Sequence, residues 1–342
     1  MNSELDTDKT ERNDASATNG QDKTRGSRRV VGCLLTLLIL IGILVGAYFV
    51  YMKWFAPEVD PNLKDPDVIV NLDDNVKLID EGIFTGFTKE AVDSADHPLD
   101  PALDLARRGL KRIDEEVKDY TATIVKQIRF NGKLLPVDHI EVKIRHERSD
   151  GDEAVPFSVY TKMLSPKIKL GIEAIYVDTW NDNNIAAHPN WTVGNFRLNL
   201  PVDGFLAMKE QLHPITMIGI KNLLRQTIGK GERDLQHKEC TVEINYNVVV
   251  DDRKCLLITI THPVPRDHFE FHIAKIYIDI EHEVPIGYEG YLWPEEEGGE
   301  PLLLEKYLYT DLKLNVGLED IDFSPDNEAY GYPSPAVPKR RK

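Results

Sequence analysis

The sequence predicts a mainly β fold of the α+β class: a strongly curved antiparallel sheet, or incomplete barrel, with helices on the concave face, preceded by one N-terminal transmembrane helix. Three observations predict it. The stretch 30–52 is uncharged and long enough to cross a bilayer, apolar residues recur with a period of two from Tyr120 onward, and only two segments beyond residue 98 show helical spacing.

The stretch 30–52, VVGCLLTLLILIGILVGAYFVYM, would extend roughly 34 Å as a helix, enough for a hydrocarbon core about 30 Å thick. Its Leu, Ile and Val side chains outweigh Thr36 and the glycines on insertion scales, and it lacks the polar stripe of a buried core helix. Lys23, Arg25, Arg28 and Arg29 precede it, whereas only Lys53 follows it before Glu58 and Asp60. The excess of bases places the N-terminus in the cytoplasm and the remainder outside the membrane. Tyr48, Phe49, Tyr51, Trp54 and Phe55 sit at the exit end, where amphipathic rings favour the head-group layer. The apolar run is too long for a cleaved signal peptide, and Val45-Gly46-Ala47 is a poor cleavage site. Cys33 precedes most of the apolar run, so it is not placed as a lipidated cysteine.

The tail 1–29 is polar and holds six acids and six bases by count, so it cannot repay the entropy of ordering. The full net charge of −16 therefore lies beyond residue 29, which disfavours nucleic-acid binding. Residues 53–97, rich in Asp and Pro, read as a partly ordered linker, residues 98–332 as the β-rich extracytoplasmic domain, and residues 333–342 as a basic tail. Cys240 and Cys255 lie in the outer domain, where a disulfide is permitted, but Asp251-Asp252 reads as a turn that would not set them opposite each other.

Within the domain, Asp100 offers an N-cap with Pro101 behind it, and Leu99, Ala102, Leu103, Leu110, Ile113 and Val117 mark one helix to about Lys118. Tyr120–Phe130, Asn131-Gly132 and Lys133–Glu147 form a hairpin whose Asn-Gly suits a type I′ turn. Strands follow at Phe157–Leu164, Lys169–Trp180, Asn184–His188, Asn195–Leu200, Cys240–Val249, Cys255–Thr261, Phe269–Asp279, Ile286–Trp293 and Leu302–Leu314. A second helix is predicted at Ile215–Ile228, where Ile215, Ile218, Leu223, Leu224 and Ile228 share a stripe. Val242, Ile244 and Tyr246 alternate with Thr241, Glu243 and Asn245, and Leu256, Ile258 and Ile260 alternate with Leu257, Thr259 and Thr261. One face is apolar and one is wet. Either the helices cover the apolar face as an ordinary core, or two helices are too few for about ten strands and an apolar cavity remains, lined by those six residues.

The runs Ala274-Lys275-Ile276-Tyr277-Ile278-Asp279 and Val284-Pro285-Ile286-Gly287-Tyr288-Glu289-Gly290-Tyr291 resemble a strand, turn and strand of periplasmic lipoprotein carriers such as LolA. The closing segment Gly317–Tyr330 is similar to the C-terminus of an uncharacterised bacterial envelope family in the same superfamily. The resemblance covers roughly Leu99 to Tyr332. It implies a curved half-barrel that binds lipid or lipoprotein acyl chains without chemistry or cofactor; the membrane anchor departs from the soluble carriers.

Chemistry finds little support in the motifs. His268, Glu270 and His272 alternate as zinc ligands on a strand would, but no fourth ligand is evident, and a solvated face explains them. Asp279 and Glu289 flank a turn and read as a turn cap and an ion pair with Lys275 or Lys306 rather than an acid–base pair. There is no nucleophile elbow, P-loop, Gly-x-Gly-x-x-Gly or Cys-x-x-Cys. The sequence therefore points to a non-catalytic binder, with an envelope sensor or protein-binding scaffold as the rival and a hydrolase or metal enzyme third.

Overall fold

The computed structural model describes residues 37–47, 50, 59–65, 70–72, 87–150, 153–189 and 194–333. The chain divides into two units, 1–57 and 58–342. In the first, residues 37–47 are helical. Among the described residues no helix is long and apolar enough to cross a membrane; much of the span expected at 30–52, the tail 1–29 and nearly all of the basic tail lie outside them.

The second unit contains β1 (Val70–Leu72), α1 (Lys89–Ser94), α2 (Asp100–Glu116), β2 (Asp119–Phe130), β3 (Lys133–Leu134), β4 (Asp138–Arg145), β5 (Arg148–Asp150), β6 (Glu153–Val155), β7 (Ser158–Ser165), β8 (Glu173–Val177), β9 (Asn184–His188) and β10 (Leu198–Pro201). It continues with α3 (Ile220–Asp234), β11 (Thr241–Val250), β12 (Arg253–Thr261), β13 (Ile273–Asp279), β14 (Pro285–Leu292) and β15 (Leu302–Leu314). Thirteen strands make one antiparallel sheet, in the order β1-β11-β12-β13-β14-β15-β2-β4-β7-β8-β9-β10, with β3 paired to β2. The ends, β1 and β10, do not pair with each other, so the sheet is open, as its expected incomplete barrel requires.

A strand forms within each stretch the alternation predicts, but the one expected at Lys169–Trp180 shortens to Glu173–Val177 and the one expected at Asn195–Leu200 begins at Leu198. Asn131 (φ 49°) and Gly132 (φ 77°) take the left-handed conformations that an Asn-Gly hairpin turn needs. The returning strand is broken between β3 and β4, and β4 resumes the ladder with Ile124 opposite Ile140. The strand expected at Phe269–Asp279 begins only at Ile273, and residues 265–272 are irregular. Helix α2 starts one residue earlier than its expected cap implies: Leu99 is the N-cap, and Asp100 reaches back to accept the His97 N–H at 3.1 Å. It buries Ala102, Leu103, Ala106 and Ile113 against the core.

The second helix is displaced from its expected position. Ile215–Met217 form a 3-10 turn, and α3 runs from Ile220 to Asp234. The break is Gly219, at φ 109°, a conformation side chains avoid. A Cβ there would meet the Tyr120 hydroxyl at 2.8 Å. That hydroxyl accepts the Ile220 N–H at 2.9 Å, and the Tyr309 hydroxyl accepts the Gly219 N–H at 3.0 Å. Two buried tyrosines thus take the place of a side-chain cap on α3. The helix continues to Asp234 because Gly231 lets α2 approach: a Cβ at 231 would lie 2.8 Å from the Leu103 Cδ2.

The main core lies between the sheet and both helices, within residues 87–312. The two smaller core clusters also fall within 58–342, so this unit carries its own apolar interior. Beyond β15, residues 317–332 pack on β4, β7, β8 and β9: Tyr330 stacks on Tyr160 at 3.9 Å between ring centres, and the Tyr332 hydroxyl donates to the Ala186 carbonyl at 2.7 Å. Lys143–Asp322 and Arg145–Asp320, each at 2.6 Å, fasten the same segment.

Candidate functional site

The six residues expected to line a cavity share one apolar face. Val242 stands opposite Ile260 and Ile244 opposite Ile258. Leu256, Ile258 and Ile260 are buried; Val242, Ile244 and Tyr246 are half-buried against the same core, and the Tyr246 hydroxyl donates to the Phe87 carbonyl at 3.0 Å. Helix α1 lies against β11, and α2 and α3 lie over Ile258 and Ile260 of β12. Between Leu103, Leu224, Ile258 and Ile260 only about 40 Å³ of space is left, too little for a ligand larger than a few waters.

The large cavity lies on the other half of the concave face. It holds about 450 Å³, within the range of about 300–1,000 Å³ common for small-molecule sites. Its floor comes from β2, β4 and β7–β10, including Ile124, Ile140, Met163, Ile185 and Ala187. The start of α3 supplies Leu223 and Thr227, while Tyr307 and Tyr309 of β15 close another side. The remaining wall is the irregular segment 202–219, which crosses from β10 to α3. Leu206 and Met217 of that segment line the cavity and remain 59% and 37% exposed, so they form an apolar rim. The sheet side is apolar because alternate residues face inward: Ile185 and Ala187 on β9 sit two apart, with Ala174 opposite Ala187.

Polar contacts fasten the crossing segment to the sheet. The Lys126 ammonium donates to the Gln211 side-chain oxygen at 2.7 Å and lies 3.4 Å from Asp138; Lys169 bridges Asp138 at 3.0 Å and Glu210 at 3.2 Å. Farther along, His213 meets Glu305 at 2.9 Å, and Lys230 reaches the same carboxylate at 3.8 Å and Glu270 at 3.5 Å. Burial lowers the proton affinity of Lys126 more than its carboxylate neighbour restores it. Burial alone would raise the Glu305 carboxyl, but the His213 hydrogen bond and the Lys230 charge outweigh it and hold it below the usual range. Behind the floor, on the opposite face of β8, the Glu173 carboxylate accepts from the Tyr160 hydroxyl and the Gly331 N–H, both at 2.7 Å. Such an arrangement can bind a chain of apolar groups. Of the cavity residues, Ile215, Ile218 and Leu223 stood out in the sequence only as part of a helical stripe, and the rest were marked only by the period-two pattern of their strands.

His268, Glu270 and His272 do not converge. His268 stacks on His237 at 3.6 Å, Glu270 pairs with Arg233 and Lys230, and His272 packs against Trp293. Among the described residues, only Asp279, Glu281 and His282 cluster as metal ligands would, and Arg253 already bonds both carboxylates. Asp279 also accepts the His282 N–H at 2.7 Å, the turn cap that was expected, although its ion-pair partner is Arg253. Glu289 pairs with Lys306 at 3.3 Å as read from the sequence. Cys240 and Cys255 are free and buried, at opposite ends of the β11–β12 hairpin.

No curated protein matches the chain. Among solved structures, it is similar to a DUF1329 family protein from Desulfovibrio piger ATCC 29098, at 12% identity and a TM-score of 0.33 over 67% of this chain and 98% of that one. It is also similar to a putative outer membrane lipoprotein-sorting protein domain from Vibrio parahaemolyticus, at 10% identity and 0.31 over 65% and 95%. A LolA superfamily protein from Nitrosomonas europaea matches at 12% and 0.28 over 64% and 97%. The family model described as "Protein of unknown function (DUF1571)" matches residues 117–332, well over half of the chain and nearly all of the sheet, and the chain belongs to that family.

Proposed function

We propose that the outer unit binds the acyl part of a hydrophobic ligand, a lipid or the acyl chains of a lipoprotein, in the large cavity and carries out no chemistry on it. The observation that supports this reading is an apolar-walled space of about 450 Å³ left between an open sheet and the segment 202–219. Enclosing roughly ten methylenes at about 0.8 kcal/mol each contributes about 8 kcal/mol before ordering costs are subtracted, enough for moderate affinity. We further propose that residues 30–52 anchor the chain in a bacterial inner membrane, with the N-terminus cytoplasmic and the outer unit periplasmic, so that lipid is present at high local concentration.

The cavity is tested with the unit 58–342 and a fluorescent acyl ester. Ala187→Phe fills the floor without adding charge and is expected to weaken binding at least tenfold, while Thr259→Glu on the wet face of β12 leaves it unchanged. Circular dichroism confirms that both variants fold. If the folded unit neither binds the ester nor copurifies with lipid by mass spectrometry, the carrier reading gives way to a protein-binding scaffold. Orientation is tested with protease on intact spheroplasts, which should remove the outer unit; its survival until lysis would reverse the topology.

A further inference from the structure

The charges around the large cavity are arranged as closed sets. Four lysines and the carboxylates of Asp138, Glu210 and Glu305 line it. At one end, Lys126 and Lys169 face Asp138 and Glu210, with Asp138 shared between the two ammonium groups. Asp138 and Lys126 are buried, at 3% and 5% exposure, so neither charge is available to solvent or to compete for an incoming ion. At the other end, the buried Glu305 is held by His213 and Lys230, and Lys230 also lies over the Tyr288 ring at 5.7 Å. Glu173 has its two hydrogen-bond donors and a third neighbour, His188, at 3.5 Å. Lys209 is exposed at the outer edge.

A charged head group drawn past Lys209 into the interior of such a cavity would have to leave water and either remain unpaired or displace a partner from one of these sets. An uncharged head group loses only ordinary hydration. Resting on the acyl-binding reading above, we infer that the cavity selects uncharged amphiphiles, acyl esters or long-chain alcohols, and discriminates against the same chain ending in a carboxylate. Asp138 sets this preference. It is the carboxylate that neutralises both lysines, so without it the same end of the cavity becomes a site for an anion.

The experiment compares methyl palmitate with palmitate as competitors of the fluorescent acyl ester on unit 58–342, at about pH 8, where the acid is ionised. The ester is expected to compete at least tenfold better. In Asp138→Asn, the competition of the acid relative to the ester is expected to rise at least tenfold. Glu210→Gln, at a half-buried position that also faces Lys169, should move the ratio in the same direction and serves if Asp138→Asn does not fold. Equal competition by acid and ester in the unaltered protein overturns the inference, as does a ratio that neither substitution moves. If neither molecule competes and the fluorescent ester itself does not bind, the acyl-binding reading falls and takes this inference with it.

Discussion

Removing one hydroxyl, in Tyr120→Phe, tests how the cavity wall is held. Tyr120 is fully buried, and its hydroxyl accepts the N–H of Ile220, itself fully buried at the first turn of α3. Phenylalanine keeps the ring and its packing but leaves that N–H with no acceptor and no water. A buried donor left in this way costs about 1–3 kcal/mol. Tyr309→Phe strands the Gly219 N–H in the same manner and should cost a similar amount. The two hydroxyls serve adjacent donors, so the double variant should depart from additivity. Urea unfolding of unit 58–342 measures the loss as a lowered midpoint with an unchanged slope. A change under about 0.5 kcal/mol in both single variants would refute the argument that these tyrosines cap the helix, because surface-like substitutions stay within that range.

Gly219→Ala should cost on the order of 1–3 kcal/mol from backbone strain alone, and more because its Cβ overlaps the Tyr120 hydroxyl; wild-type stability would refute this. Ile258→Ala should cost about 2–5 kcal/mol while leaving acyl-ester binding intact, since Ile258 packs under the helices away from the large cavity. Burial raises the Asp234 carboxyl to about 6, above its value of about 3.9 in an unfolded chain. The folded state therefore holds the extra proton between those values, and this contribution to stability is complete below about pH 4 and lost as pH rises through about 6. Asp234→Asn should then melt higher than the unaltered unit at about pH 8 and match it near pH 4; identical pH slopes would exclude this origin. Burial pushes the Cys240 and Cys255 thiols up to about 11 and about 12, so both should resist alkylation in the native unit and label fully in unreduced denaturant.

Strands such as β11 and β12 were legible because one face is apolar and the other wetter. β9 and β15 have the boundaries the alternation predicts, and the Asn-Gly turn is where its chemistry requires. The second helix was displaced because its apolar stripe joined residues of different fates: Ile215 and Ile218 belong to the approach, and α3 continues into Gly229-Lys230-Gly231, which reads as a breaker until Leu103 is seen pressing on Gly231. The large cavity was not legible. Alternation identifies which face of a strand is apolar, but not which part of that face a helix covers. Of the six residues nominated on β11 and β12, Ile258 and Ile260 fell beside α2 and α3 and β11 lay against α1, while the space remained chiefly over β7–β10, whose small residues Ala174 and Ala187 carry no periodic signal of their own.

The strand order has a consequence for how the chain assembles in time. β11–β15 form one run of sequential neighbours, and the path from β2 to β10 forms the other. They join only where β15 pairs with β2, with Leu308 opposite Val125 and residues about 180 positions apart in contact. As the chain is made from its N-terminus, β2 must therefore stand with one side unpaired until almost the last strand has emerged. Such distant pairing slows folding and leaves an adhesive strand edge exposed meanwhile. The central ladder of the finished sheet is thus its latest to form, and a chain stopped short of Leu302 would be left as two separate sheets, each with a raw edge where its other half belongs.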